Sequence, residues 1–149
     1  MDFNKMLYPT DFSGPSSEAL AFATSLARDN AAELLICHVF EPPVPVQGMV
    51  KAPTITAATA DEQRERLHSI RPLDPAVKFE HRMVDGLPSH GIIALAETEG
   101  IDLIVMSTHG HSGLKRLILG SVAESVIRDA PCPVLTLKQP DPKQSDGAS

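Results

Sequence analysis

The stretch "DLIVMSTHGHSGLKRLILGSVAESVI", residues 102–127, runs from an apolar segment through a glycine-broken turn into a helical pattern. Leu103, Ile104, Val105 and Met106 are apolar at consecutive positions. Such a run buries both of its faces, as a parallel strand covered by helices on each side does. The turn that follows holds two glycines, two histidines and the adjacent pair Lys115 and Arg116 before a third glycine, in Gly120-Ser121, opens the helix. Small and polar residues between a strand and a helix present backbone rather than side chain.

Outward from this unit the same rhythm repeats. "KMLYPT" precedes "SSEALAFATSLARDNA", "ELLICHVF" precedes "AATADEQRERLHSI", "VKFEHRMV" precedes "SHGIIALAETEG", and "PVLTLK" follows the last helix. In the first helix Ala19, Leu20, Ala23, Leu26 and Ala27 form one apolar stripe, with Pro15 suited to the first turn and Ser13 or Ser16 to the cap. Strand and helix alternate four times before a closing strand. The pattern predicts a single α/β domain, a doubly wound five-stranded parallel sheet with helices on both faces.

Composition sets bounds on partners and class. The 149 residues suffice for one core without a metal or disulfide staple, and no stretch approaches the ~18 apolar residues of a membrane span. The opening "MDFNKMLYP" has neither a basic head nor an apolar h-region, which predicts a cytoplasmic protein. A net charge of −6 with no basic cluster beyond Lys115-Arg116 argues against nucleic acid. Cys37 and Cys132 lie in separate apolar runs and read as buried free thiols. Residues 1–138 read as the domain and 139–149, "QPDPKQSDGAS" at its end, as a flexible tail. The segment "EPPVPVQGMVKAPTI", residues 41–55, carries four of the 13 prolines and reads as an excursion or surface loop.

In an open parallel sheet ligands collect beyond the carboxyl ends of the strands, here "YPTDFS", "CHVF" and "VMSTHG". Asp11 can hydrogen-bond a ribose or base, assist a metal, or begin a turn. Gly110 lets backbone approach a ligand closely, and Gly120-Ser121 offers free N–H groups at a helix start. Together they make an anion cradle. Neither GxxxxGK[ST] nor a GxGxxG after the first strand is present, which disfavours P-loop ATPases and dinucleotide dehydrogenases. His109 and His111 lack the further ligands of a metal site; His38, His68, His81 and His90 read as structural or solvated.

From "MLYPTDFS" through "ICHVF", "VDGLP" and the opening stretch to "PCPVLTLK", the chain resembles the universal stress proteins. The ATP-binding branch of that family is marked by Gly, two residues, Gly, nine residues, then Gly-Ser or Gly-Thr. Gly110 and Gly120-Ser121 match, and Ser107 stands where the pattern has its first glycine. The resemblance implies a Rossmann-like, adenine-nucleotide alpha-hydrolase-like fold and ATP, with Mg²⁺, as ligand. It places Pro9, Thr10, Asp11 and Val39 around the adenosine and Met106 and Ser107 along the floor. Gly110 and His111 then face the phosphates, which Gly120, Ser121 and Val122 bind. It further implies a homodimer through the last strand, Val134 to Leu137, and a regulatory role in stress response. The alternatives are a nucleotide-independent dimeric interaction protein, an ATP-hydrolysing enzyme, and a phospho-receiver built on Asp11, Asp85, Thr108 and Lys138.

Overall fold

Four strand-helix units and a closing strand make up the computed structural model, which describes residues 2–42, 55–108 and 119–138. The expectations for the proline-rich segment, for Gly110, His111, Lys115 and Arg116, and for the tail fall outside the described residues. The elements are β1 (Lys5–Pro9), α1 (Gly14–Asn30), β2 (Glu33–Phe40), α2 (Ile55–Ser69), β3 (Phe79–Asp85), α3 (Pro88–Thr98), β4 (Leu103–Ser107), α4 (Ser121–Asp129) and β5 (Val134–Leu137). All strand pairs are parallel, in the order β3-β2-β1-β4-β5. The chain is thus the doubly wound five-stranded α/β sheet that its apolar runs foretell.

Period-two alternation divides the core between the two faces. Met6 and Tyr8 of β1, Leu34 and Ile36 of β2 and Val105 of β4 pack with Ala19, Ala23 and Ala27 of α1 and Leu67 of α2. Leu7, Leu35, Ile104 and Met106 point the other way, onto Ile92 and Leu95 of α3 and Ala123 and Val126 of α4. The interiors of β1, β2 and β4 are covered on both sides, which is why their sequences are largely apolar, whereas the edge strands β3 and β5 are only partly covered. Cys37 is buried as expected, whereas Cys132 is only half-buried. The reason is its place beside β5, an edge strand whose four residues are all only partly covered. Among the described residues no helix is long and apolar enough to cross a membrane.

Helix α1 shows how local chemistry sets its limits. Ser13 is the N-cap, its hydroxyl accepting from the Ser16 N–H at 3.4 Å, and Pro15 sits in the first turn where no intrahelical donor is lost. At the other end the exposed Ala31 takes the left-handed conformation, φ +51°, so that its N–H reaches back to the last-turn carbonyls. Glycine is the usual occupant of such a position because it lacks the Cβ that crowds the backbone there. Ala31→Gly is therefore expected to raise stability by about 0.5–1 kcal/mol. Urea unfolding of the two chains measures it, and an unchanged or lower midpoint contradicts the strain.

Candidate functional site

The strand order creates one topological switch. From β1 the chain steps outward to β2 and β3, then returns past β1 to lay down β4 and β5 on the other side. A crevice opens where neighbouring connections depart in opposite directions, beyond the carboxyl ends of β1 and β4. A cavity of about 280 Å³ lies there.

Its lining comes from six elements or their ends, α1 contributing Ser16. The end of β1 supplies Pro9, Thr10 and Asp11, and β2 supplies His38 and Val39. The end of β4 gives Met106, Ser107 and Thr108, while Pro88 and Ile92 enter from α3. Gly120 to Ala123, the start of α4, complete it. Because β2 and β4 flank β1, the cavity spans three strands. Val39, Pro88 and Ile92 form an apolar end on the β2 side, and the α4 start faces the β4 side.

The turn after β1 is built by hydroxyls. The Thr10 N–H donates to the Cys37 carbonyl at 2.8 Å, continuing the β1–β2 ladder one residue past the strand. Thr10 Oγ1 accepts from the Phe12 N–H at 3.0 Å and lies 3.1 Å from Ser16 Oγ, which donates to the Ser13 carbonyl at 2.8 Å. Asp11 Oδ1 accepts from the Ser13 N–H at 3.0 Å, an Asx turn. The sequence left Asp11 between turn and ligand roles; it makes the turn and lines the cavity at once. Tyr8 closes the base of the network by donating its hydroxyl to the Ser16 carbonyl.

The start of α4 is differently made. Gly120 is the N-cap and, among the described residues, no side chain caps this helix. The Gly120 N–H is taken by the Thr108 carbonyl at 2.8 Å. Helix geometry gives the amides of Ser121, Val122 and Ala123 no intrahelical acceptor, and these residues line the cavity. An anion is the group such a terminus favours.

Of the residues expected at the site, nine meet in this cavity: Pro9, Thr10, Asp11, Val39, Met106, Ser107, Gly120, Ser121 and Val122. Gly110 and His111 lie outside the described residues. The cavity also takes Ser16, which the sequence offers as a helix cap, Thr108, which it names only for the receiver alternative, and His38, Pro88, Ile92 and Ala123, which it does not place there. His38 carries the plainest overlooked signal, a polar residue inside the run "LLICHVF". Pro88 and Ile92 carry none, because α3 reaches the cavity only through the strand order.

Two groups adjoining the cavity residues Pro9 and His38 are held in their neutral forms. Burial pushes the Tyr8 hydroxyl above its ordinary range and the Cys37 thiol up to about 12. Neither supplies an anionic nucleophile near neutral pH. Among the described residues no three His, Cys, Asp or Glu side chains converge to hold a metal. Asp85 ends β3, with β2 between it and β1, and it lines a different cleft. Two strand spacings of ~4.8 Å thus separate the ladders of Asp11 and Asp85, and the pair does not form a receiver-type acidic site.

A parallel sheet wound in two directions, with a crevice at its switch point, defines a Rossmann-like α/β domain. The model of the universal stress protein family matches residues 2–138. Universal stress protein MJ0531 of Methanocaldococcus jannaschii is 37% identical over 144 residues, covering 93% of this chain and 84% of that one. Universal stress protein MJ0577 of the same organism is 31% identical, covering 92% and 96%. The solved structure of MJ0577 superposes with a TM-score of 0.80 at 30% identity over 95% of this chain and 99% of that one. A universal stress protein solved in complex with cAMP matches with a TM-score of 0.63 at 25% identity, over 93% and 98%. The chain belongs to the universal stress protein family.

The apolar end of the cavity is set by a close helix approach. A Cβ placed on Gly91 of α3 would lie 2.7 and 2.9 Å from the two methyls of Val39 and 3.2 Å from a methyl of Val84. Valine is stiff at χ1, so those methyls have little room to yield. Gly91→Ala should lower stability by about 1–3 kcal/mol, through overpacking that outweighs the better helix propensity of alanine. Denaturant unfolding checks this; equal or greater stability would show that α3 can shift outward freely.

Proposed function

We propose that the switch-point cavity binds an adenine nucleotide, ATP with Mg²⁺, and that the protein acts as a nucleotide-responsive regulatory module in stress response. The observation that carries this reading is the α4 start, capped by glycine alone and lining the same cavity as the ends of β1, β2 and β4. Adenine and ribose take the β2 side, between Val39 and the turn of Pro9, Thr10 and Asp11. Met106 and Ser107 form the floor. Phosphates lie toward Gly120, Ser121 and Val122, with Gly110 and His111 assigned to the same chain of phosphates by the family pattern. An exposed helix start favours a negative group by ~0.3–1 kcal/mol, and hydrogen bonds to a charged acceptor add to it. The relative solved with cAMP supports an adenine ligand at this fold.

Retention rather than turnover follows from the same chemistry. Among the described residues Asp11 is the carboxylate of the lining, and its Oδ1 accepts from the Ser13 N–H. Ground-state phosphates are therefore held without an evident positioned base, and Mg²⁺ enters with the phosphates it neutralises.

The second part of the proposal is a homodimer through β5. Ile104 N–H donates to the Pro133 carbonyl and Thr108 N–H to the Leu137 carbonyl, so odd-numbered residues of β5 turn their backbone toward β4. Val134 and Thr136 then direct theirs to the open edge. A second copy related by a two-fold axis would pair with those groups and cover the half-exposed strand.

Calorimetric titration with ATP, ADP and AMP in Mg²⁺ tests the nucleotide. Gly120→Val is expected to abolish binding with the fold retained, because a branched side chain occupies the backbone approach. Ser121→Ala should weaken ATP by about ten- to a hundredfold, one hydrogen bond to a charged group being worth ~1.5–3 kcal/mol. Unchanged affinity in a folded Gly120→Val chain would sink the site and leave a nucleotide-independent interaction protein.

For the dimer, Thr136→Pro removes one outward N–H while sparing the β4 ladder. Light scattering should give twice the chain mass for the parent and half that value for the variant. A parent that is monomeric at micromolar concentration, or a Thr136→Pro chain that remains dimeric, rejects pairing through this edge.

A further inference from the structure

The described side chains of helix α2, residues 59–69, offer little apolar surface with which to hold its place. Among its described side chains Leu67 is the one fully buried. Gln63, Arg66, Leu67 and, just beyond the helix, Ile70 fall at i, i+3, i+4 and i+7, a single stripe. Two of these four, Gln63 and Arg66, meet the residue bracing the turn after β1 or the turn itself. Gln63 Oε1 is 2.5 Å from His38 Nε2, the Arg66 guanidinium carbon stands 4.5 Å from the centre of the Phe12 ring, and Ile70 packs in the same cluster as Phe12.

His38 continues the connection into the cavity. It is 9% exposed, lines the cavity, and sets its Nδ1 2.7 Å from the Thr10 carbonyl. Its ring lies 4.3 Å from that of Phe12, which is held at φ +66°, a conformation disfavoured for a bulky residue. Phe12 adjoins Asp11. The orientation of the Asp11 carboxylate thus depends on a strained turn braced from α2.

We propose that Gln63 and His38 are positioning residues: the chain Gln63–His38–Thr10 locks the turn that aims Asp11 into the cavity, so this one contact from α2, rather than the packing of the helix as a whole, sets nucleotide affinity. The proposal rests on the nucleotide reading of the cavity. Its chemistry is specific. A carbonyl oxygen only accepts, so His38 must carry a proton on Nδ1 to hold Thr10. When the ring is neutral, Nε2 is an acceptor and Gln63 presents its NH₂; when the ring is charged, the amide turns and presents its oxygen. An amide satisfies both states, a carboxylate only the charged one, and an aliphatic side chain neither.

The test uses the full chain and four variants. Long-range ¹H–¹⁵N spectra should show the His38 proton on Nδ1; a proton on Nε2 alone overturns the proposal. Gln63→Leu is expected to shift the backbone amides of Asp11, Phe12 and Ser13 and to weaken ATP about tenfold, the loss of one part-buried hydrogen bond. Gln63→Glu, which can bridge a doubly protonated ring, should restore those amides and bring affinity within about threefold of the parent. Leu67→Val should lower the melting temperature and leave affinity in place, and His38→Phe should reproduce Gln63→Leu. Unmoved turn amides in Gln63→Leu, or an affinity loss in Leu67→Val as large as in Gln63→Leu, would show that α2 contributes stability alone. If the parent binds no ATP, the nucleotide reading falls, while the ring proton and the turn amides still decide whether the connection holds the turn.

Discussion

Parallel strands joined by helices cross over right-handedly, because a right-twisted strand feeding a helix packs back on the sheet only that way. In this chain that constraint, applied to one reversal of direction, generates the rest. The connections carrying α1 and α2 run outward from β1 to β3 and put both helices on one face, while those carrying α3 and α4 run back toward β5 and put both on the other. Among the described residues no helix closes the top of the sheet at the β1/β4 boundary. The cavity is a consequence of winding order, and the residues around it are those that happen to end strands or begin helices there.

A crevice of this origin exposes main chain, and main-chain groups near a core must be satisfied. The segment "YPTDFS" reads as the answer to that demand. Thr10, Ser13 and Ser16 are buried, and each of their hydroxyls meets a backbone group or a neighbouring hydroxyl. Leaving one such group without a partner would cost about 1–3 kcal/mol. The network fixes three consecutive residues so firmly that Phe12 tolerates a positive φ. Backbone strain at a cavity mouth is sustained only where surrounding bonds over-determine the geometry.

How much of this could be read from the chain differs by element for physical reasons. β2 and β4 were legible because burial on both faces demands unbroken apolar runs, and α1 was legible because its stripe, Ser13 and Pro15 act locally. The ends of β1 and β4 and the start of α4 could be named as site residues from turn chemistry and family pattern. Pro88 and Ile92 could not, since nothing in "GLPSHGII" tells which strands α3 will cross; that follows from sheet order, a long-range property. His38 was set aside as structural or solvated, and it is buried and structural, but its partners lie 28 and 25 residues away in sequence. Cys132 reads as a core residue because its apolar neighbours do not reveal that β5 ends at an edge.

One residue joins the crevice to that edge. Thr108 donates both its N–H and its hydroxyl to the Leu137 carbonyl, at 3.0 and 3.2 Å, and accepts the Gly120 N–H on its own carbonyl. The end of β5, the end of β4 and the N-cap of α4 are therefore consecutive members of one hydrogen-bonded chain. Thr108 is buried, so these bonds lie where water does not readily replace them. A movement of the α4 start relative to the sheet must carry Thr108 with it or break the bond to Gly120, and the same holds for a displacement of Leu137. The helix start that faces the cavity and the strand that faces outward are coupled by geometry, whatever occupies either one.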